Sequence, residues 1–278
     1  MDKPMKHILF ATDGSEFSSG AQRVAIDLAK RCGADLTAMT IVLSTQDLEG
    51  VGTHGLREQL EEEAQAILAG VVAAAEGAGV GCATQLVYGD QPHQEIIDTA
   101  LELAPDLIVL GRRGKRGLAR LMVGHATAHV AGHAPCNVLM VPRASQVWNQ
   151  RILLATDGST HGEAAARAAQ AVASQCSLPV TVVSATTKSH SAERKAEARA
   201  TADRVATALK AAGIASESVV AEGRPDEVVI ETAASSKADL IVVGSHGRTG
   251  LSRLILGSIS ERIMGQAQCP VLIARAAT

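Results

Sequence analysis

The stretch ADLIVVGSHGRTGLSRLILGSIS, residues 238–260, joins an apolar run to a glycine-rich segment. The run ADLIVV has the continuous apolar character of a strand that is covered on both faces. Gly244 and Gly247 follow it at once, and nine residues separate Gly247 from Gly257-Ser258. Glycine at this density marks backbone that turns sharply or approaches another group closely. The stretch therefore predicts a buried strand ending in a loop where the chain meets either itself or a ligand.

The same pattern occurs in the first half of the chain, because the chain contains a duplication. Residues 6–42 align without a gap on residues 150–186, and residues 88–127 align on residues 222–260 with one single-residue gap. The offset is 144 in the first alignment and 133 in the second, so the first half carries 144 − 133 = 11 extra residues near STQDLEGVGTHGL. A repeat of this size is a whole domain and not a short solenoid repeat, whose period is about 20–50 residues.

Strands and helices alternate in each half. In the second half, RILLAT and PVTVVSA have the character of strands, and the alanine-rich HGEAAARAAQAVASQC that lies between them has the character of a helix. Such alternation implies a parallel sheet with right-handed crossovers and helices on both faces. We therefore predict an α/β fold of two tandem, doubly wound, parallel five-stranded sheets, with domain 1 at residues 1–145 and domain 2 at residues 150–278. Ligands of such sheets lie beyond the carboxyl ends of the strands, where the strand order reverses.

Composition excludes several classes of partner. Hydrophobic residues make up 46% of the 278 residues and aromatic residues 1%, so the cores are aliphatic and stacking platforms for single-stranded nucleic acid are missing. Through Arg143 there are 12 Lys and Arg against 17 Asp and Glu, and after it 14 against 12. Neither half is basic enough to bind a polyphosphate chain non-specifically, so we predict no nucleic-acid partner.

The sequence also bears on location. No apolar run approaches the length of a membrane span, and the first predicted strand begins too early to leave room for a signal peptide. The five cysteines form no CxxC pair, and we interpret them as buried small hydrophobic residues of a reducing compartment. We predict a cytoplasmic protein. The cysteines are Cys32, Cys82, Cys136, Cys176 and Cys269.

Two loops of each half are predicted to line one crevice. The first strand of each half ends in ATDGS, which contains Thr12-Asp13 and Thr156-Asp157. If strands one and four are neighbours, this loop faces the glycine-rich loop. A helix that opens at Gly257-Ser258 presents free N–H groups, a natural anion site. We interpret the glycines as making room for phosphates; the alternative is that Ser258 is only a helix N-cap and the glycines only make turns.

The glycine spacing resembles that of a known family. Gly244, Gly247 and Gly257-Ser258 fit the G-x2-G-x9-G-[S/T] pattern of ATP-binding universal stress proteins. The order of elements and the ATDGS strand ends also resemble that family, over both halves, so the chain is similar to a tandem universal stress protein. The resemblance implies a Rossmann-like fold of the adenine nucleotide alpha hydrolase type. It also implies that ATP or a related adenine nucleotide, with Mg²⁺, lies over the carboxyl ends of the strands.

The resemblance also implies roles for particular residues. Thr156 and Asp157 would meet the adenosine or metal end, and the backbone of Ala185 would meet the adenine. Ribose and phosphates would be held by Gly244, His246, Gly247, Gly257, Ser258, Ile259 and Ser260. The corresponding candidates of the first half are Thr12, Asp13, Ile41, Gly111, Gly114, Gly124 and Thr127.

The first half departs from the family pattern at His125, which replaces the Ser or Thr. A neutral imidazole is bulkier than a hydroxyl and would crowd a phosphate, whereas a protonated one would pair with it. The segment GRRGKRG adds cations that either compensate or are simply solvated. We expect the second half to be the nucleotide site and leave the occupancy of the first half open.

Three histidines of the first half recur every four residues in HATAHVAGH. On a helix His125, His129 and His133 share one face, and histidines so spaced can bind a metal. The alternative is an exposed polar face on a short helix that breaks near Gly132. No Glu or Cys stands close by in sequence to complete a ligand shell, so we predict no metal held by these histidines.

These observations predict an adenine-nucleotide-binding sensor or regulator of the stress response, with at most weak ATP hydrolysis. The alternatives are a slow nucleotide hydrolase or transferase that uses Asp157 or His246 as acid or base, and a scaffold that binds no nucleotide. For assembly, the apolar last strands of the halves, 137–141 and 270–274, are predicted at sheet edges, where they invite pairing. In the family that the chain resembles, such strands pair across a dimer. We therefore predict a pseudo-twofold pair of domains within one chain and leave a further homodimer open.

Overall fold

A computed structural model describes residues 5–43, 54–112, 125–248 and 256–276 of the chain. The contacts divide the chain into two compact units, and the main boundary between them in the sequence falls between Val147 and Trp148. The two units correspond to the first and second halves of the sequence and are described one at a time.

The first half is a five-stranded sheet with helices between its strands. All neighbouring strands are parallel, and their order is β3-β2-β1-β4-β5. The elements are β1 (His7–Ala11), α1 (Ser19–Cys32), β2 (Asp35–Leu43), α2 (His54–Gly77), β3 (Cys82–Gly89), α3 (Pro92–Leu103), β4 (Leu107–Arg112), α4 (His125–His133) and β5 (Asn137–Pro142).

The second half repeats this arrangement. Its parallel strands follow the order β10-β9-β6-β7-β8. The elements are β6 (Ile152–Ala155), α5 (Thr160–Cys176), β7 (Val180–Thr186), α6 (Ala192–Ala211), β8 (Ser216–Glu222), α7 (Pro225–Ser235), β9 (Leu240–Gly244), α8 (Ser258–Gln266) and β10 (Val271–Ala274). The predicted α/β class, with one parallel five-stranded sheet in each half, is confirmed.

Strands one and four are neighbours in both halves, as the crevice prediction requires. β1 pairs with β4 and β6 pairs with β9, and in each case the strand order reverses between the two. The loops that follow these strands therefore leave the same edge of the sheet side by side. The strands form aliphatic cores, in which Ile8, Leu154 and Ile241 are fully buried.

Glycine allows the sharp turn after the first strand of each half. Gly14 has a φ of 70° and Gly158 a φ of 77°, a left-handed conformation that residues with a Cβ rarely adopt. The turn carries the chain from the strand end into the helix that covers the sheet. It thereby fixes the position of the Asp that precedes each glycine.

One local prediction is wrong. None of the five cysteines is in a disulfide, and all are half-buried, so they are not the fully buried hydrophobic residues that the sequence suggested. Helix α4 ends at His133, next to Gly132, where the sequence predicted that a short helix would break. It ends there because Ala134 precedes Pro135, and a residue before proline is disfavoured in the helical conformation. Within the described residues, no helix combines the length and the apolar character that crossing a membrane requires.

Candidate functional site

Asp157 joins the two loops of the second half that were predicted to line one crevice. Its Oδ2 accepts a hydrogen bond of 2.8 Å from the backbone N–H of Arg248, in the loop after β9. Its Oδ1 accepts from the N–H and the hydroxyl of Ser159, at 3.0 and 2.6 Å, in its own loop. The carboxylate thus fixes the loop after β6 to the loop after β9. Three of its lone-pair sites are used by the protein itself.

The three motif glycines make close contacts within the protein. A Cβ added to Gly244 would lie 2.7 Å from the backbone of the first turn of α5, and one added to Gly247 would lie 3.0 Å from the carboxylate of Asp157. A Cβ on Gly257 would lie 3.2 Å from the carbonyl oxygen of Ser245. Such distances are shorter than ordinary van der Waals contacts. At these positions the close approach expected from the sequence is therefore an approach of the protein to itself, and packing alone accounts for glycine.

Helix α8 begins with amide groups that no described side chain caps. Its N-cap is Gly257, in an extended conformation, so the interpretation of Ser258 as the N-cap is wrong. By contrast, the N-cap Ser159 of α5 accepts a hydrogen bond of 3.1 Å from the N–H of Gly162. Ser258 is exposed and Ile259 is 38% exposed, so the first turn of α8 faces outward. A helix N-terminus with unpaired N–H groups carries a partial positive charge of about half an elementary charge, which attracts anions.

The two hydroxyls of this turn have different roles. The Ser260 hydroxyl is buried and donates to the carbonyl oxygen of Gly244 at 2.8 Å, which ties α8 to the end of β9. The Ser258 hydroxyl accepts a hydrogen bond of 3.2 Å from the guanidinium of Arg262, one helical turn further on. Both hydroxyls were predicted from the sequence to be ligand donors. The structure uses the hydrogen of Ser260 inside the protein and leaves Ser258 at the surface.

The side chain of Arg248 lies between the turn at Gly158 and helix α6. The Arg248 guanidinium makes an ion pair of 2.8 Å with Glu197 of α6, and a Cβ on Gly158 would lie 2.9 Å from its Nη2. The hydrogen bond from Arg248, strengthened by its charge, lowers the pKa of the Glu197 carboxyl, and the same hydrogen bond raises the pKa of Arg248. Arg248 was not among the site residues predicted from the sequence. Its position next to Gly247 was the signal that could have identified it.

A pair of histidines borders the same loop. The Ser245 Oγ lies 3.1 Å from the Nδ1 of His161 and 3.1 Å from the Nδ1 of His246. The two ring centroids are 4.9 Å apart. His246 was predicted from the family pattern, whereas His161, in the first turn of α5, was missed. The alignment of the halves places Phe17 opposite His161. Because a polar residue is not repeated at this position, the comparison of the two halves did not point to His161 as a site residue.

The residues predicted for the adenosine end lie at the same sheet edge. The buried Thr156 donates its N–H to the carbonyl of Val183 at 3.0 Å, which joins the end of β6 to β7. Its hydroxyl accepts from the N–H of Gly158 at 3.3 Å. Ala185 lies two residues beyond Val183 and is half-buried. The structure thus places Thr156, Asp157 and Ala185 on adjacent strand ends.

The first half has a cavity of about 500 Å³ at the equivalent place. It lies at the carboxyl ends of β1, β2 and β4, and the other residues along it are largely apolar, among them Phe17, Met39 and Leu110. Five of the seven predicted residues line it: Thr12, Asp13, Ile41, Gly111 and Thr127. Gly114 and Gly124 lie outside the described residues, as does the side chain of His125.

Asp13 holds its loop as Asp157 does. Its Oδ1 accepts hydrogen bonds from the N–H and the hydroxyl of Ser15, at 3.1 and 2.6 Å, and from the hydroxyl of Ser18 at 2.8 Å. In the second half Gly162 occupies the position of Ser18. The turn after the first strand is therefore built in the same way in both halves.

Two histidines of α4 stack on each other, and one of them also contacts a histidine of α3 at a tilted angle. The rings of His129 and His133 are 4.0 Å apart between centroids, and those of His93 and His129 are 4.3 Å apart. Nδ1 of His133 lies 2.9 Å from the carbonyl oxygen of His129. In the ranges that the structure describes, no three His, Cys, Asp or Glu side chains are grouped so as to hold a metal ion.

Comparison with known proteins gives one consistent result. The model of the universal stress protein family matches residues 4–142 and again residues 149–275. A universal stress protein of Mycobacterium bovis is 28% identical over 299 residues, which cover 99% of each chain. One of Methanocaldococcus jannaschii is 36% identical over 142 residues, 50% of this chain and 82% of that protein. The crystal structure of a universal stress protein from Archaeoglobus fulgidus shares the fold, with a TM-score of 0.80 at 22% identity over 97% of this chain and 96% of the other.

Proposed function

The chain belongs to the universal stress protein family, in a tandem form, and we propose that it binds ATP or a related adenine nucleotide in its second half and acts as a sensor or regulator of the stress response. The observation that carries the proposal is the exposed, uncapped first turn of α8 beside two loops that Asp157 holds together. In the described part of the site, Asp157 already holds the loop after β6 against the start of the loop after β9, which lowers the cost of ordering these residues on binding.

The phosphate end of the ligand is assigned to this turn. The amide groups at Ser258 and Ile259 and the positive end of the helix provide donors and charge for an anion. The guanidinium of Arg248 stands over the turn at Gly158, at the same edge of the sheet. Arginine matches phosphate oxygens with its planar array of donors. We assign Arg248 as the cation that completes the phosphate site.

The adenosine end is assigned to the ends of β6 and β7. Thr156 and Ala185 lie there, on strands joined by the hydrogen bond from Thr156 to Val183. Backbone groups at the end of a strand present donors and acceptors in fixed positions, which suits the edge of a base.

The described residues would hold Mg²⁺ only together with the phosphates of a bound nucleotide. Mg²⁺ in nucleotide sites is held by one or two carboxylates together with phosphate oxygens and water. Asp157 is the carboxylate at this crevice, and the two hydrogen bonds from Ser159 occupy its Oδ1. Its Oδ2 accepts one hydrogen bond from Arg248 and keeps one lone-pair site, which would hold a water of the Mg²⁺ shell. When bound, Mg²⁺ would neutralise phosphate charge.

A sensor is favoured over an enzyme by the state of Asp157. A general base needs an acceptor free to take a proton from the attacking group. The carboxylate of Asp157 instead holds two loops in place with three hydrogen bonds, and its one remaining lone-pair site is the one assigned above to a water of the Mg²⁺ shell. Slow hydrolysis is compatible with this site, because a held triphosphate with Mg²⁺ is already partly prepared for attack.

The cytoplasmic location is also part of the proposal. None of the five cysteines is in a disulfide, which suits a reducing compartment.

Calorimetric titration of the purified full chain with Mg²⁺·ATP tests the proposed function. We expect saturable binding that exceeds the binding of inorganic triphosphate alone, because the nucleoside adds contacts at Thr156 and Ala185. Mass spectrometry of the small molecules released when freshly purified protein is denatured is an independent check. The proposal would be contradicted if the titration showed no binding and the denatured protein released no adenine nucleotide.

A further inference from the structure

The cavity of the first half is large enough to enclose a whole small molecule. Its volume of about 500 Å³ lies within the range of about 300–1,000 Å³ that is typical of ligand pockets. It lies at the carboxyl ends of β1, β2 and β4, and α3 lines it with Pro92 and Ile96. Thr127 and Val130 of α4 line it as well. The nucleotide proposed above is assigned to the second half, so a ligand of this cavity is a separate question.

The walls of the cavity are larger and more apolar than the corresponding residues of the second half. Three side chains that line it align with smaller or more polar ones. Phe17, Met39 and Ile41 stand where the second half has His161, Val183 and Ala185. The strand order and the turn after the first strand are the same in both halves, so the side chains make the difference. A ligand of this cavity therefore meets more apolar surface than a nucleotide would meet in the second half.

Several polar groups of the cavity lie together in the turn after β1. Thr12, Asp13, Ser15 and Ser18 line it, and the Asp13 carboxylate accepts hydrogen bonds from both serines. Among the described residues of the lining, Asp13 is the one charged side chain. A carboxylate attracts a cation and repels an anion. The described lining therefore favours a ligand that carries positive charge and no phosphate group.

From this lining we infer that the first half binds a small aromatic amine that carries no phosphate. Its ring would lie against Phe17 and Met39, because aromatic rings pair favourably with one another and with a thioether sulfur. Its ammonium group would face Asp13. The inference does not rest on the nucleotide function proposed for the second half. The same walls would accept an adenine ring, so the amine would compete with a nucleotide if a hydroxyl at position 125 restored the phosphate site.

Backbone amide chemical shifts of the full chain test the inference with two probes that share a phenyl ring. The probes are phenethylamine and hydrocinnamate, which near pH 7 are a cation and an anion. We expect saturable shifts with the amine at residues 11–18 and 39–43. The acid should bind about tenfold more weakly or worse, because the sign of its interaction with Asp13 is reversed.

The acid also tests a competing source of charge. The segment GRRGKRG, which starts at Gly111 in β4, contains four cations that could attract an anion instead. Binding of the acid as tight as that of the amine would overturn the inference. Asp13→Asn keeps the shape of the side chain and removes its charge, so it should abolish the preference for the amine over the acid. A preference that persists in this variant would also overturn the inference.

Substitutions toward the second half test the apolar walls. Phe17→His and Ile41→Ala each introduce the residue that the second half carries at the aligned position. Each should weaken binding of phenethylamine by about fivefold or more, because apolar contact with the ring is lost. Using both covers the case in which one of them folds poorly. Leu101→Ala is the matched control: Leu101 lies in α3, is 63% exposed and does not line the cavity, so binding should be unchanged.

Two further outcomes would overturn the inference. One is the absence of saturable shifts at the cavity with phenethylamine, and the other is undiminished binding in both Phe17→His and Ile41→Ala. Neither would affect the nucleotide site proposed for the second half. Conversely, failure of the chain to bind Mg²⁺·ATP would refute the proposed function and leave the inference about the first half standing.

Discussion

Ser258→Asp should weaken nucleotide binding and at the same time stabilise the protein. The substitution places a carboxylate in the first turn of α8, where Ser258 is exposed and no described side chain caps the helix. A negative charge at a helix N-terminus stabilises the helix by about 0.3–1 kcal/mol. The same charge would repel a phosphate bound to the adjacent amides. The variant should bind more weakly and yet be more stable than the natural protein, so the weaker binding could not be due to loss of the fold.

The size of the affinity loss follows from the geometry of the turn. Two unit charges about 4 Å apart repel by about 1 kcal/mol in bulk water and about 4 kcal/mol near a protein surface. Ser258 is exposed, and the Arg262 guanidinium that now contacts its hydroxyl would offset part of the new charge. The repulsion should therefore lie nearer the lower of these two energies. A penalty of about 1–2 kcal/mol corresponds to a loss of about 5–30-fold in affinity.

The assay is calorimetric titration with Mg²⁺·ATP, accompanied by thermal unfolding of the free protein. Ser258→Asn is the matched control, because it has the same shape as the Asp variant without the charge, and it should bind nearly as well as the natural protein. The difference between the two variants should shrink at high salt, since exposed charges are screened. Equal affinity of the Asp and Asn variants at low salt would refute the assignment of phosphates to this turn.

Three further predictions concern neighbouring residues. Arg248→Gln should lower nucleotide affinity by about tenfold, because a charge-assisted contact is lost. It should also return the pKa of the Glu197 carboxyl toward its ordinary value, which NMR titration of Glu197 would show. The stabilisation by the ion pair, which is present at neutral pH and lost on acidification through the lowered pKa, should then be absent from the variant. His125→Ser should raise the calorimetric stoichiometry from about one nucleotide per chain toward two, because a small hydroxyl restores the donor of the family pattern; two nucleotides bound by the natural protein would contradict this. Gly257→Val should abolish binding while circular dichroism remains native, since its Cβ would lie 3.2 Å from the Ser245 carbonyl oxygen and displace the loop; undiminished affinity in a folded variant would contradict this.

The fold was predictable because it depends on patterns that are local or repeated. Continuous apolar runs such as ILLA at β6 and LIVV in β9 indicate strands buried on both faces, and the duplication supplies each element twice. The turn at Asp157-Gly158 was also predictable, since only glycine readily adopts its left-handed conformation. The proposed pairing of the two last strands stays a prediction.

The details of the site were less predictable, because they depend on which group approaches which in space. The sequence indicates that some group approaches Gly244 closely, but it does not show that this group is the backbone of α5. Likewise, the Ser260 hydroxyl looks like a ligand donor until its bond to the Gly244 carbonyl is seen. His161 could not be identified because its partner Ser245 lies 84 residues away in the chain.

Backbone amide chemical shifts during titration with Mg²⁺·ATP test the central claim most directly, since they show where on the chain a nucleotide binds. The claim is that the second half holds the phosphates at the first turn of α8 and the adjoining glycine loop. Saturable shifts should therefore concentrate at Ser258, Ile259 and Ser260 and at residues 244–248, with smaller shifts near Ala185. Saturable binding that leaves these amides unshifted, or the absence of any saturable shift, would contradict it.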